Sequence, residues 1–340
     1  MSQEDSTEAL LSALTAHPVM STIATAEPER DVTAVELRSV SKYFKAFLAI
    51  DRLSLRVRQG EIFGLLGADG AGKTTLLRML SGLSIPTSGE IDVLDYKVPQ
   101  DVHHVRRIAG FVPQQDIFYE ELSAWDNLDF HANLLGIARK EKEQRINSIL
   151  MLVQLSEHRD APVKTFSHAM KRRLVLGRVL LHNPSLVCLD EPTAGIDRHS
   201  RRDIWDYILA LRILGKTTVV ATNTLEEVLE LCDHFAVLDC GRLITVETPE
   251  QIKRNYGDIV VELEMERPIT SLYALRAMAG IQSVKQNGLH LQIVLRDNRH
   301  ILPQVITLLT EENEIKTIGV RELRLSEIFP HLPVSVVHER

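Results

Sequence analysis

Regular alternation of apolar and polar positions begins at Val32. TAVELRSV and LAIDRLSLRVRQ switch between hydrophobic and charged residues with a period of two, which predicts two half-buried strands. EIFGLLG and GEIDVLD predict two more. Ile62 to Leu66 is apolar throughout, as a strand covered on both faces is. Ile108 to Gln115 (IAGFVPQQ) predicts a strand running into a polar turn. Leu122 to Gly136 and Lys140 to Gln154 then space Leu, Ile and Val at helical intervals. A helix capped by Ser167 is expected to run to His182. Leu186 to Leu189 predicts a second buried strand, with Asp190-Glu191 at its C-terminal end. A helix from about Arg198 to Leu214 and a strand Thr217 to Ala221 follow. Thr222-Asn223-Thr224 leads into the acidic helix LEEVLELC, and HFAVLDCGRLITVET predicts a hairpin turning near Cys240-Gly241.

Past Gly257 the rhythm changes. DIVVELEME predicts a strand and ITSLYALRAMAG a helix. IQSVKQ and LHLQIVLR predict two strands joined by Asn287-Gly288, a strong hairpin signal. RHILPQVITLLTEE then predicts a helix and IKTIGVREL a strand. The order β-α-β-β-α-β is ferredoxin-like, and a short helix, LSEIFPHL, follows it. The expected organisation is an N-terminal extension (1–31), an α/β domain (32–257) with a helical insert at about 116–180, a βαββαβ domain (258–332) and a tail (333–340). The extension is polar at both ends. Disorder is one reading of it, and a contact with a partner or membrane surface is the other.

Candidate chemistry concentrates at two places. The first is Gly67-Ala68-Asp69-Gly70-Ala71-Gly72-Lys73-Thr74-Thr75, a full G-x-x-x-x-G-K-T pattern between strand and helix. Glycines let successive backbone N–H groups face one anion, and the helix N-terminus adds its positive end. Lys73 is placed to reach the β- and γ-phosphates and the Thr74 hydroxyl to ligate Mg²⁺. The second place is Asp190-Glu191, at the end of a sheet where ligands bind in open α/β folds. Asp190 suits the Mg²⁺ shell, and Glu191 suits polarisation of an attacking water. These residues predict nucleoside triphosphate binding. Phe44, in an expected loop before the phosphate loop, either stacks on the base or packs with Tyr43 into the sheet.

Bulk properties narrow the class. At 340 residues, 44% hydrophobic and 25% charged, the chain has room for two ordinary globular domains. No apolar run approaches the ~20 residues needed to cross a bilayer, and no secretory signal is expected. A net charge of −7 argues against nucleic acid as the main partner. Arg172, Arg173, Arg198, Arg201 and Arg202 read as solvated helix faces near a phosphate. Cys188, Cys232 and Cys240 lack metal-ligand spacing and read as reduced cytosolic thiols.

Taken in order, the phosphate loop, the PQ turn, the serine-led helix, DEPTAGID and the threonine-led turn resemble the nucleotide-binding subunit of an ABC transporter. The resemblance spans roughly Val32 to Gly257. The C-terminal domain is similar to the tail on ATPase subunits of ABC-2-type exporters. This implies a P-loop NTPase ABC cassette: a mixed sheet core, an antiparallel β subdomain and a helical insert. It also implies ATP and Mg²⁺, an integral membrane transporter subunit as partner, and a place on the inner face of the plasma membrane. A head-to-tail dimer is implied too, with a second copy or with another ABC ATPase.

Residue by residue, Gly67 to Thr75 match the Walker A loop, with Ala68 and Asp69 where proline and asparagine are usual. Gln114 matches the Q-loop glutamine, which senses Mg²⁺. Asp190 and Glu191 match the Walker B aspartate and the general base, and Asp197 the D-loop aspartate. Two positions depart. Ser167 of the signature is kept, but His168 and Ala169 replace its two glycines; the histidine either adds charge when protonated or holds the dimer interface open. Asn223 stands where the family has its switch histidine, and it retains an amide donor on a shorter side chain. The expectation is an ATP-driven exporter subunit with slow turnover. The alternative is an ATP-dependent binding switch, or a regulatory half with little hydrolysis.

Overall fold

The computed structural model describes residues 32–256, 259–269, 272–295, 301–312 and 314–322. The N-terminal extension, the boundary residue Gly257, the helix LSEIFPHL and the tail lie outside them. The chain divides into two compact units, and the division is not a single cut. Among the described residues, 32–223 and Leu231–Val246 form one unit; Thr224–Glu230 and those from Glu247 onward form the other.

In the first unit, β1 (Thr33–Phe44), β2 (Phe47–Arg58), β4 (Ser88–Val93) and β5 (Tyr96–Val98) make an antiparallel sheet of order β2-β1-β4-β5. Alternation works as the sequence predicts. Leu37 pairs with Leu55 on the buried face, and Glu36 pairs with Arg56 on the other. The strands outrun their apolar pattern, however. Lys42, Tyr43 and Phe44 belong to β1, and only Lys45-Ala46 turn the chain, with Lys45 at φ +54°. Phe44 therefore sits on a strand end rather than in a loop. Tyr43 and Phe44 are 47% and 48% exposed, so neither packs into the sheet.

The second sheet has the order β10-β9-β3-β8-β7-β6. Its strands are β3 (Ile62–Leu66), β6 (Ala109–Val112), β7 (Leu186–Asp190), β8 (Thr217–Thr222), β9 (His234–Asp239) and β10 (Arg242–Glu247). Every residue of β3, β7 and β8 is buried; β3 and β7 are apolar runs (β7 up to its terminal Asp190), whereas β8 also buries Thr217, Thr218 and Thr222. Helix α1 (Lys73–Leu80) leaves β3 through the glycine-rich turn and buries Leu76, Leu77, Met79 and Leu80. Helix α2 (Val102–Ile108) has no counterpart among the predicted elements; only Val105 of its seven residues is buried.

Three further helices, α3 (Ala124–Leu134), α4 (Arg139–Leu152) and α5 (His168–Leu180), share a core that includes Leu128, Ile146, Ile149, Val163 and Leu174. Ser123 and Asp126 form a reciprocal capping box on α3. Ser167 caps α5 as expected, its Oγ accepting from the Met170 N–H at 3.2 Å. Helix α5 ends two residues short of His182. Helix α6 (Arg198–Ile213) precedes β8.

The second unit holds α7 (Leu225–Leu231) almost wholly, then α8 (Pro249–Tyr256). Thr248 and Gln251 cap α8 reciprocally, at 3.2 and 2.7 Å. The βαββαβ order follows: β11 (Ile259–Met265), α9 (Tyr273–Ala277), β12 (Ile281–Asn287), β13 (His290–Leu295), α10 (Leu302–Glu312) and β14 (Ile315–Glu322). These strands form an antiparallel sheet of order β12-β13-β11-β14. Helix α9 is shorter than its apolar spacing suggests. The hairpin turn falls on Gly288-Leu289, because Asn287 still pairs with His290 and Gly288 supplies the positive φ.

One buried charge weighs on the first unit. Lys216, between α6 and β8, is 1% exposed, and its Nζ donates to Asn183 Oδ1 at 2.6 Å. Burial pushes its ammonium down from 10.5 to about 8. Above pH 10.5 the amine is neutral in both folded and unfolded chains. As pH falls toward 8 the unfolded chain takes up the proton first, so stability drops through that window and stays flat below it. Lys216→Met is expected to gain about 2 kcal/mol below pH 8, after losing the Asn183 bond, and to abolish the slope between pH 8 and 10.5. Chemical denaturation across that range measures both; an unchanged slope contradicts the assignment.

Candidate functional site

Parallel pairing brings the candidate residues together. β3 pairs with β8, and β8 with β7, so the C-terminal ends of three neighbouring strands open on one edge. The register sets Leu66 beside Thr222 and Asp190 beside Ala221. The phosphate-loop glycine Gly67, the Asp190-Glu191 pair and Asn223 follow directly from these positions.

The loop 67–72 is held by backbone on several sides. The Gly67 N–H donates to the Thr222 carbonyl at 3.3 Å, and a Cβ on Gly67 would lie 2.5 Å from the Leu238 carbonyl oxygen. Gly72 caps α1 at φ +102°, where a Cβ would lie 2.8 Å from the Ala49 carbonyl oxygen and 2.7 Å from Ile50 Cδ1. The N–H of Gly241 donates to Ala71 at 3.0 Å, and the N–H of Asp51 to Gly241 at 2.9 Å. Asp69 and Gly70 lie at the exposed tip, and Ala71 is buried beneath it. Thr75 is half-buried in the first turn of α1.

Lys73 is buried, yet its ammonium is fully engaged. Nζ donates to the carbonyls of Gly67 at 2.6 Å and Ala68 at 3.2 Å, and lies 3.2 Å from Glu191 Oε1. The Thr74 hydroxyl donates to Asp190 Oδ1 at 3.0 Å. Burial raises Asp190 above the usual carboxylate range. The Thr74 bond and the charges of Lys73, Arg78 and Arg172 oppose that rise. A hydroxyl and a buried carboxylate, side by side at a helix N-terminus, are hard oxygen donors of the kind Mg²⁺ takes, so Thr74 and Asp190 fit it.

Glu191 occupies the left-handed region at φ +46°. Its N–H donates to the Ala221 carbonyl at 2.8 Å, and its Oε2 accepts from the Asn223 N–H at 3.4 Å. Asn223 is exposed beside it. Gln114 has an exposed side chain, and its carbonyl accepts from Arg172 Nη1 at 3.5 Å. Asp197 caps α6, its Oδ1 accepting from the Ser200 N–H at 3.0 Å. His168 Nδ1 lies 3.2 Å from the Gly195 carbonyl of its own chain, and Nε2 lies 3.9 Å from Asp116 Oδ2.

The solvated reading of the arginines fails for one of them. Arg172 is 2% exposed and sits at the centre of the site. Its spacing was the available signal: Arg172, Leu176 and Val179 recur at four and three residues, which places Arg172 on the buried face of α5. Arg198 and Arg202 are exposed, while Arg173 and Arg201 are half-buried, so the solvated reading holds fully for two of the five.

The chain is similar to known proteins over most of its length. Residues 50–194 match the family described as ABC transporter. The linearmycin resistance ATP-binding protein LnrL of Bacillus subtilis is 32% identical over 295 residues, covering 86% of this chain and 94% of LnrL. That alignment is longer than residues 1–257, so it extends into the C-terminal βαββαβ region. The Nod factor export ATP-binding protein I of Cupriavidus metallidurans is 38% identical over 68% of this chain and 77% of its own length. Among solved structures, cbiO1 of Clostridium perfringens, part of the cbiONQ transporter complex, superposes with a TM-score of 0.62 at 24% identity, over 67% of this chain and 93% of its own. A dimeric ATP-binding cassette, MJ0796, bound to ADP and phosphate, superposes with a TM-score of 0.58 at 24% identity, over 63% and 98%. The shared fold is the ABC ATPase cassette.

Proposed function

The chain belongs to the family of ABC transporter ATP-binding subunits, and on that premise we propose that it hydrolyses ATP to drive an exporter whose membrane-spanning part is a separate chain. The observation that carries this reading is the meeting of the phosphate loop with the carboxylate pair: Thr74 on Asp190 at 3.0 Å and Lys73 on Glu191 at 3.2 Å. The names of the relatives, for Nod factor export and linearmycin resistance, favour export as the direction. Among the described residues no helix is long and apolar enough to cross a membrane, so the partner supplies the path. The subunit then works from the inner face of the membrane, as one half of an ATP-closed dimer.

The chemistry follows from the residues. The loop N–H groups and the N-terminus of α1 bind the phosphates, and Phe44, exposed at its strand end, is available to the base. Arriving phosphates replace the Glu191 carboxylate as the partner of Lys73 and release it to act on water. Glu191 accepts a proton as the water oxygen bonds to the γ-phosphorus; the bond to the bridging oxygen breaks, and ADP and phosphate leave. Mg²⁺, held by Thr74 and Asp190, would supply charge neutralisation at the phosphates. Mg·ATP turnover measured at several protein concentrations tests the whole reading. A rate that rises with dimerisation supports it, and a rate equal to that of Glu191→Gln overturns it.

Slow turnover is the finer proposal. It rests on Asn223, whose backbone N–H lies 3.4 Å from Glu191 Oε2 while the side chain is too short to act as the family's histidine. Asn223→His is expected to raise turnover several-fold, by restoring a donor beside the developing charge; an unchanged rate with intact folding sinks this explanation. A switch with little hydrolysis is the second reading, favoured by His168, which rests on Gly195 of its own chain where the family keeps glycine.

A further inference from the structure

The Arg172 guanidinium joins two loops that carry the site. Nε donates to the Pro192 carbonyl at 2.7 Å, and Nη2 donates to the carbonyls of Asp190 and Glu191 at 3.0 and 3.1 Å. Nη1 turns the other way, to the carbonyls of Pro113 at 2.6 Å and Gln114 at 3.5 Å and to Asp116 Oδ1 at 3.0 Å. Six acceptors therefore converge on one planar fork. The charge is matched by Asp116, whose side chain is 7% exposed. A cation buried this deeply is retained only where its bonds are nearly all made.

The arrangement bears on Glu191 in particular. A side chain in the left-handed region costs roughly 1–2 kcal/mol, so surrounding contacts must hold it. Glu191 is held at both ends: its N–H by Ala221 and its carbonyl by Arg172. We propose that Arg172 is a positioning residue. It fixes the left-handed backbone that aims the Glu191 carboxylate, and it makes that aim depend on where residues 113–116 sit. The proposal rests on the reading of Glu191 as the general base. Lysine cannot substitute, because one ammonium on a flexible stem cannot span both loops as a planar fork does.

Arg172→Lys separates this role from a merely structural one. The variant is expected to lose about 10²-fold in kcat, the scale of a misplaced catalytic group, while the KM for ATP stays within about threefold because the phosphate loop is untouched. In a Glu191→Gln background the same substitution is expected to cost nothing further, since both changes act through one carboxylate. Independently of activity, amide exchange in residues 113–116 and 190–194 is expected to quicken in Arg172→Lys. Asp116→Asn, which keeps the carbonyl bonds, is expected to show the same pattern at smaller size. If Arg172→Lys does not fold, Asp116→Asn carries the comparison.

Wild-type kcat in Arg172→Lys, an equal loss in the Glu191→Gln background, or unchanged exchange at 190–194 overturns the proposal. Wild-type turnover no faster than Glu191→Gln overturns only the ATPase reading. The clamp is then judged on exchange alone.

Discussion

Glu191→Gln is expected to lower Mg·ATP turnover by about 10²–10⁴-fold, the usual worth of a positioned general base. Its ATP affinity is expected to be unchanged or tighter. The rate falls because the amide cannot take the proton from water. Affinity holds because Glu191 competes with phosphate for the Lys73 ammonium, 3.2 Å away, and the substitution removes that competing charge. Thr74, Asp190 and the loop glycines keep their contacts. Phosphate release and equilibrium nucleotide binding measure the two quantities. Retained turnover means that another group accepts the proton. Lost ATP binding means that Glu191 supports the loop rather than the chemistry.

Gly72→Ala is the larger structural test. At φ +102° an added Cβ costs roughly 1–2 kcal/mol of backbone strain. It would also lie 2.8 Å from the Ala49 carbonyl oxygen, a backbone atom that cannot swing aside, adding about 1–3 kcal/mol of overpacking. A total near 3 kcal/mol predicts an unfolding midpoint lowered by about 6–12 °C, together with loss of ATP binding as the loop shifts. Gly70→Ala is the control. It shares a positive φ of +83° but meets no protein atom within 4 Å, so its folding stability should fall by only about 1 kcal/mol. Equal losses in both variants would assign the whole effect to backbone conformation and none to the Ala49 wall.

The parts of this fold legible in the sequence are those where a single physical demand outweighs the rest. β3 and Leu186–Leu189 of β7 are uninterrupted apolar runs, and burial on both faces leaves them no alternative. Ser167 was legible as a cap because a hydroxyl before a helical pattern satisfies a specific orphan N–H. The meeting of Gly67–Thr75 with Asp190-Glu191 was legible because both segments follow buried parallel strands, whose C-terminal ends share one sheet edge. Helix α2 was hidden because a helix burying only Val105 carries almost no periodic signal. The shift of the hairpin turn to Gly288-Leu289 reflects strand pairing that holds Asn287 in the ladder. Arg172 was hidden for a different reason. Charge normally predicts solvent and outweighed the helical spacing with Leu176 and Val179; the acceptors gathered by two distant loops are what make its burial tolerable.

The contacts around the phosphate loop also limit what can be moved between cassettes. Cβ atoms on Gly72 and on Gly241 would both collide with one atom, the Ala49 carbonyl oxygen, and a Cβ on Gly67 would collide with Leu238. Three segments, the outermost far apart in the chain, are thus cut to fit one another. A loop 67–72 grafted from a relative brings one face of a three-part joint, and residues 49–51 and 238–241 must travel with it. Chimeras with breakpoints between these segments should fail more often than those that inherit all three from one parent.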